Sequence, residues 1–141
     1  MVGWNAMDER LPTSAVAPGA ADVAVGMTAR KADIDPGQFF ALDMRVGRIL
    51  DVEPFPEART PAWKLTVDFG PALGTLRTSA QVTNYSAEQL KDRLVAGAVN
   101  LGRKRIAGFV SEFLVLGAIA DDGTVHLLEL PPEATPGSPL A

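Results

Sequence analysis

Along residues 63–69 apolar and polar side chains alternate without a break: Trp63, Leu65, Val67 and Phe69 against Lys64, Thr66 and Asp68. Successive residues of a strand point to opposite faces, so this pattern predicts a strand with one buried side and one wet side. Upstream, Leu42, Met44, Val46, Leu50 and Val52 share one parity, interrupted by Arg48, and predict a long curved strand. Gly47 marks the expected bulge or bend in it. Pro54, Pro56 and Pro61 exclude regular pairing in the loop between the two strands.

A third strand is expected near Leu73–Val82. It would turn Leu76, Ala80 and Val82 inward and Arg77, Ser79 and Gln81 outward. Ser86 and Gln89 have the spacing of a capping box, in which each side chain satisfies the other's backbone N–H, so a short helix starts there. Val95, Val99 and Leu101 predict a fourth strand, with Asn100 on its other parity. Phe109–Ala120 predicts a fifth, with Phe113, Val115 and Ile119 on one face and Leu114 and Leu116 on the other. Asp122-Gly123 is a hairpin turn signal, and Val125–Leu130 returns from it. Before the first strand, Pro36–Asp43 reads as a helical turn whose Phe39 and Phe40 are expected to cap the bottom of the core.

Three strands, a helix, two strands and a final hairpin give the fold class. It is all-β: a five-stranded OB-fold Greek-key barrel with a short helix between strands three and four and a C-terminal hairpin extension. A fifth strand apolar on both faces needs a second cover. The terminal hairpin or a second subunit would supply it, and the reading favours a homodimer.

Composition narrows the picture. A chain of 141 residues holds one domain with a core. The absence of cysteine excludes disulfides and thiolate metal sites and fits a reducing cytoplasm. No apolar run reaches the length of a membrane span, so no membrane insertion is expected. Residues 1–33, rich in Ala, Gly, Pro and Val, are expected to form a disordered tail ahead of a domain over 34–141, with Met27 as an alternative start. The net charge is −4, and from Ile34 onward 10 Lys and Arg face 13 Asp and Glu. A nucleic-acid ligand therefore requires a local basic patch rather than an overall positive field.

Asp43–Ile49, Phe55–Arg59, Pro61–Gly70, Ser79–Thr83 and Ser111–Gly117 occur in an order and spacing that resembles the tRNA-binding-domain superfamily, specifically its CsaA branch of export-related chaperones. The resemblance covers about residues 38–138. It implies a dimeric OB-fold that binds tRNA and has a proposed role in holding unfolded preproteins. Two departures stand out. The usual Asn-x-Pro-Pro-Arg-Gln-Ile is Asn100–Ile106 here, which loses the diproline and gains cations, and the usual Tyr before Lys64 is Trp63.

The candidate RNA-binding residues follow from the outward parity and the matched motifs. Arg45, Lys64, Arg77, Ser79 and Gln81 would line the sheet face, the cations meeting phosphates and the hydroxyl and amide groups meeting sugar or base edges. Arg59 sits in the proline-stiffened loop. Arg103, Lys104 and Arg105, beside Asn100, form the densest positive run and read as a phosphate clamp. Ser111 and Glu112 match a family position near the binding surface, and Glu112 has a second reading, that of orienting Arg105 or another cation. Phe55, Trp63 and Phe109 are the candidates for a peptide groove. Of these, Trp63 has core parity, while Phe55 and Phe109 are expected in loops and exposed.

Catalytic machinery is not legible. His126 is the only histidine and has no partner at a recognised spacing, Asp121-Asp122 is turn chemistry, and there is no glycine-rich phosphate loop. The expectation is a non-enzymatic protein without metal or cofactor.

Overall fold

The computed structural model describes residues 29–141. The expectations for residues 1–28, including the start at Met27, lie outside the described residues. The chain runs through α1 (Pro36–Ala41), β1 (Met44–Pro54), β2 (Trp63–Asp68), β3 (Thr75–Ala80), α2 (Ala87–Leu90) and β4 (Leu94–Ala98). It continues with β5 (Lys104–Ile106), β6 (Phe109–Ser111), β7 (Leu114–Val115), β8 (Gly117–Ile119) and β9 (Val125–Leu127). The main sheet is antiparallel with strand order β3-β2-β1-β4-β7, while β5-β6 and β8-β9 are separate hairpins. This is the nearly closed five-stranded OB-fold barrel expected from the element order.

The barrel closes between β3 and β7 through side chains as well as backbone. The Thr78 hydroxyl, 1% exposed, donates to the Phe113 carbonyl at 2.6 Å. The Ser79 N–H donates to Ser111 Oγ at 3.1 Å, and the Glu112 N–H donates to the Arg77 carbonyl at 2.8 Å. Among the described residues, Thr78 and Ser111 are the two buried polar ones, and both work in this seam.

Leu65, Val67 and Phe69 are fully buried, as the alternation predicts, and Phe69 meets Phe113 edge to face at 4.8 Å. Gly47 and Gly97 make room for this pair. A Cβ on Gly47 would lie 2.5 Å from Val67 Cγ1, and one on Gly97 would lie 2.9 Å from Phe113 Cδ2. The Ser86–Gln89 capping box forms, with both reciprocal bonds present. The Asp122-Gly123 turn also forms, with Asp122 Oδ1 accepting the Thr124 N–H at 2.9 Å and Gly123 at φ +88. That hydrogen bond holds the Asp122 carboxyl below its ordinary value.

Several expectations need correction. The β1 bulge falls between Ile49 and Asp51, not at Gly47. The extra residue inverts parity, so Ile49 is buried and Leu50 is 42% exposed. Phe39 and Phe40 do not cap the core, being 40% and 72% exposed. The single strand expected over Phe109–Ala120 is broken into β6, β7 and β8. The two-faced split of its side chains holds nonetheless. Phe113, Val115 and Ile119 pack into the main core, whereas Leu114 and Leu116 join Leu42, Met44, Ala98 and Leu101 in a second apolar cluster.

Candidate nucleic-acid interface

Strand register decides which side chains share the outer face. Residues paired across neighbouring strands stand on the same side of a sheet. Lys64 pairs with Glu53 and Ser79, and Thr66 pairs with Asp51 and Arg77. Asp68 pairs with Arg48 and Thr75. These three rows form the polar outer face of β1, β2 and β3. Arg48, Lys64 and Arg77 are its cations, balanced by Asp51, Glu53 and Asp68, so the face alone carries no net positive charge.

The β5-β6 hairpin changes that balance at one corner. It docks beside β3: its Phe109 packs beneath Lys64 and Arg77, and Arg103 meets Glu112, which also holds the Arg77 backbone. Lys104 pairs with Ser111 on the Phe109 side of the hairpin, and Arg105 pairs with Val110 on its other side. Phe55 and Phe109 sit beneath the junction, with ring centroids 5.5 Å apart. Lys64 Nζ lies 4.8 Å from the Phe55 ring centre and 5.4 Å from that of Phe109. The Arg77 guanidinium lies 4.8 Å from the Phe109 centre. A cation above a ring face is held by the ring's quadrupole, worth about 0.5–1 kcal/mol at an exposed site. The two rings thus position two cations that remain turned to solvent.

This corrects the expectation for Phe55 and Phe109. They are buried, 4% and 8% exposed, rather than offered in loops. Together with Ala58, Ala62 and Ile106 they form a third apolar cluster. That cluster joins the proline-stiffened loop to the hairpin, so the loop carrying Arg59 lies alongside it. Arg59 is exposed and makes no ion pair among the described residues.

Glu112 is the organiser of the corner. Its Oε1 accepts the Arg77 backbone N–H at 3.0 Å, and its Oε2 accepts from Arg103 Nη2 at 3.4 Å. The cation it orients is Arg103, not Arg105. Arg105 donates instead to the Gly108 carbonyl at 3.3 Å, within its own hairpin. Arg77 also pairs with Glu53 at 3.4 Å. Glu53 was not singled out from sequence, because the bulge hides which β1 residue stands opposite Lys64. Both pairs are solvent-accessible and weak, so a phosphate can replace the carboxylate. Ser79 Oγ and Ser111 Oγ lie 3.2 Å apart, and Gln81 follows them on a shallow groove lined by Ala80, Val82, Leu114, Val115 and Ile119.

Arg45, Asn100 and Trp63 stand apart from this corner. Arg45 pairs with Gly97, whose Cβ direction meets Phe69 and Phe113, so it belongs to the core side of the sheet. Its guanidinium is held by Asp43 at 2.6 Å and by the Gly137 carbonyl at 3.2 Å, tying down the C-terminal segment. Asn100 accepts the Asp43 N–H and donates to the Ala41 carbonyl, each at 2.8 Å, and so fastens the end of α1. Trp63 packs against the main core, and its Nε1 donates to the Tyr85 carbonyl at 3.0 Å. His126 is exposed on β9.

Lys64, Arg77 and Arg103 outnumber Glu53 and Glu112 at this corner, and Lys104 and Arg105 follow on the adjoining hairpin, so this part of the surface is cationic although the chain is acidic. Residues 44–139 match the family described as "Putative tRNA binding domain". The chain belongs to the tRNA-binding-domain family. It is similar to the CsaA chaperone protein of Picrophilus torridus, at 44% identity and a TM-score of 0.73, over 77% of this chain and 100% of that one. The CsaA chaperone of Bacillus anthracis gives 40% identity and a TM-score of 0.74, over 78% of this chain and 100% of that one. Methionine–tRNA ligase of Neisseria meningitidis serogroup C is 30% identical over 125 residues, which is 88% of this chain but 18% of the ligase. This tRNA-binding domain therefore spans under a fifth of that enzyme's length. Among its described residues, no helix is long and apolar enough to cross a membrane.

Proposed function

We propose that the protein binds tRNA at the corner where the β5-β6 hairpin meets the outer face of β2 and β3. It does so by phosphate and shape contacts and without catalysis. The observation that carries this reading is the excess of cations here, Lys64 and Arg77 on the sheet and Arg103, Lys104 and Arg105 on the hairpin, in an otherwise acidic chain. Two of them stand on the Phe55–Phe109 pair and one on Glu112. Guanidinium groups suit phosphates because their fork of N–H donors matches two oxygens at once. Ser79, Ser111 and Gln81 supply hydrogen-bonding groups beside them for sugar and base edges.

The acting species in this reading is a homodimer in the cytoplasm. The apolar cluster of Leu42, Met44, Ala98, Leu101, Leu114 and Leu116 lies on the outside of the barrel next to exposed Phe39 and Phe40. A second copy covering it would double the cationic corner and raise avidity. A second reading, the holding of extended segments of unfolded preproteins, is favoured by the apolar groove along the seam between β3 and β7-β8. Edges of this kind accept an added strand.

Purification of the full chain from cytoplasm, followed by sequencing of bound RNA and mass spectrometry of bound peptides, tests the two readings. Enrichment of tRNA over total RNA supports the first. Copurifying polypeptide without RNA overturns it in favour of the second.

A further inference from the structure

Beyond the β1 bulge, the outer face ends in a cleft lined by Arg48, Asp92, Arg93, Glu129, Leu130 and Pro132. We propose that this cleft is a second phosphate station for the same RNA, with Arg48 and Arg93 as its ligands. The inference rests on the RNA-binding reading of the hairpin corner.

Neither guanidinium is tied to a carboxylate, a state shared with Arg59 and Arg105 among the described residues. Arg45, Arg77 and Arg103 each have a carboxylate partner. Arg48 and Arg93 have none among the described residues. Both are half-buried, and both are held by uncharged groups. Arg48 Nη1 donates to the Asp92 carbonyl at 2.9 Å. That carbonyl is aimed by a left-handed turn, with Asp92 at φ 66 and its N–H bonded to the Ile49 carbonyl at 2.9 Å. Arg93 rests 5.1 Å from the centre of the Tyr85 ring. A cation fixed by a carbonyl and a cation fixed by an aromatic face lose little freedom on binding and keep donors for an anion.

Placement links the cleft to the first site. Arg48 pairs with Asp68, and Glu53 pairs with Lys64, so the two stations are separated by the run from Lys64 to Asp68 on one face. At about 3.4 Å per residue that run is roughly 14 Å. An RNA strand laid along the face covers that distance within a few nucleotides. Thr66 and Thr75 line the path and offer hydroxyls. The carboxylates facing the cleft are Asp68, Asp92 and Glu129. Asp68 Oδ1 is occupied by the Gly70 N–H at 2.8 Å. Glu129 is exposed on the opposite wall and opposes an incoming phosphate.

The test measures binding of unfractionated tRNA by the full chain as a function of salt. Four proteins are compared: wild type, R103A/R105A, R48Q/R93Q and R48K/R93K. Two lost phosphate contacts flatten the slope of log K against log salt by about 1.4–1.8. The affinity deficit of R48Q/R93Q should then shrink about tenfold between roughly 50 and 200 mM salt. R48K/R93K should retain most of the slope, because charge is kept. Combining the Gln pair with R103A/R105A should add the two losses, and E129Q should tighten binding. A wild-type slope in R48Q/R93Q, with a reduced one in R103A/R105A, overturns the second station and leaves the first intact. Absence of tRNA binding by wild type overturns both. Loss of the slope in R48K/R93K equal to that in R48Q/R93Q also overturns the station, by assigning the effect to structure rather than charge.

Discussion

Replacing Thr78 by Val tests the seam that closes the barrel. Val keeps the shape of Thr and removes the hydroxyl. Thr78 Oγ1 donates to the Phe113 carbonyl at 2.6 Å inside the core. Without that donor the carbonyl is buried and unsatisfied, at a cost of about 1–3 kcal/mol. Thr78→Ser keeps the donor and loses one methyl group, which costs about 1 kcal/mol in transfer and cavity terms. A purely hydrophobic account of this position ranks Ser as the worse replacement, whereas the hydrogen bond ranks Val as the worse. Urea unfolding with unchanged m values reads the order directly. A loss of about 2 kcal/mol lowers Tm by roughly 8 °C in a domain of this size. The same seam carries the Glu112 N–H to the Arg77 carbonyl, so amide exchange at Glu112 should accelerate in the Val variant. The reasoning is refuted if Thr78→Val is as stable as wild type, or more stable than Thr78→Ser.

Three further outcomes follow from local geometry. Gly47→Ala places a methyl 2.5 Å from Val67 and 2.8 Å from Phe69, both fully buried, and should cost about 1–3 kcal/mol by overpacking in denaturant unfolding. Ala107, at φ 48, occupies the first position of the β5-β6 turn, where a left-handed conformation strains any side chain. Ala107→Gly should slow amide exchange across the hairpin by relieving about 1 kcal/mol. The Thr124 backbone N–H lowers the Asp122 pKa, so the folded carboxylate adds stability above its ordinary value of 3.8 and loses it as pH falls through the lower folded value. Acid unfolding of Asp122→Asn should therefore lack that component, and identical acid limbs in the two proteins would discount the turn contact.

Much of the fold was legible where one interaction dominates a segment. The alternation in Trp63–Phe69 reported β2 because its core face is a single uninterrupted apolar surface. The Ser86–Gln89 box and the Asp122-Gly123 turn are local chemistry, complete within four residues. The division of Phe113–Leu116 between two apolar clusters was also visible, since period two survives the breaks between β6, β7 and β8. Parity failed in β1, because a bulge is set by pairing with β2 and leaves no residue signature of its own. Once Leu50 is inserted, Ile49 and not Leu50 enters the core, and Arg45 falls on the other side of the sheet from Lys64. The burial of Phe55 and Phe109 was equally hidden. Each looks like a loop residue, and only tertiary contact between segments some fifty residues apart makes them a buried pair beneath Lys64 and Arg77. For the candidate site, residue types were readable and partners were not. Glu112 was recognisable as an orienting group, but its choice of Arg103 depends on how the hairpin docks.

The salt dependence of tRNA affinity in wild type and R103A/R105A tests the central claim most directly. If the five cations of the corner and its hairpin each meet a phosphate, they contribute about 3.5–4.5 per protomer to the fall of log K with log salt, beside the roughly 1.4–1.8 expected from the Arg48–Arg93 cleft. Removing Arg103 and Arg105 should flatten it by about 1.4–1.8 while unfolding curves stay superimposable. An unchanged affinity and slope in the variant would contradict the account.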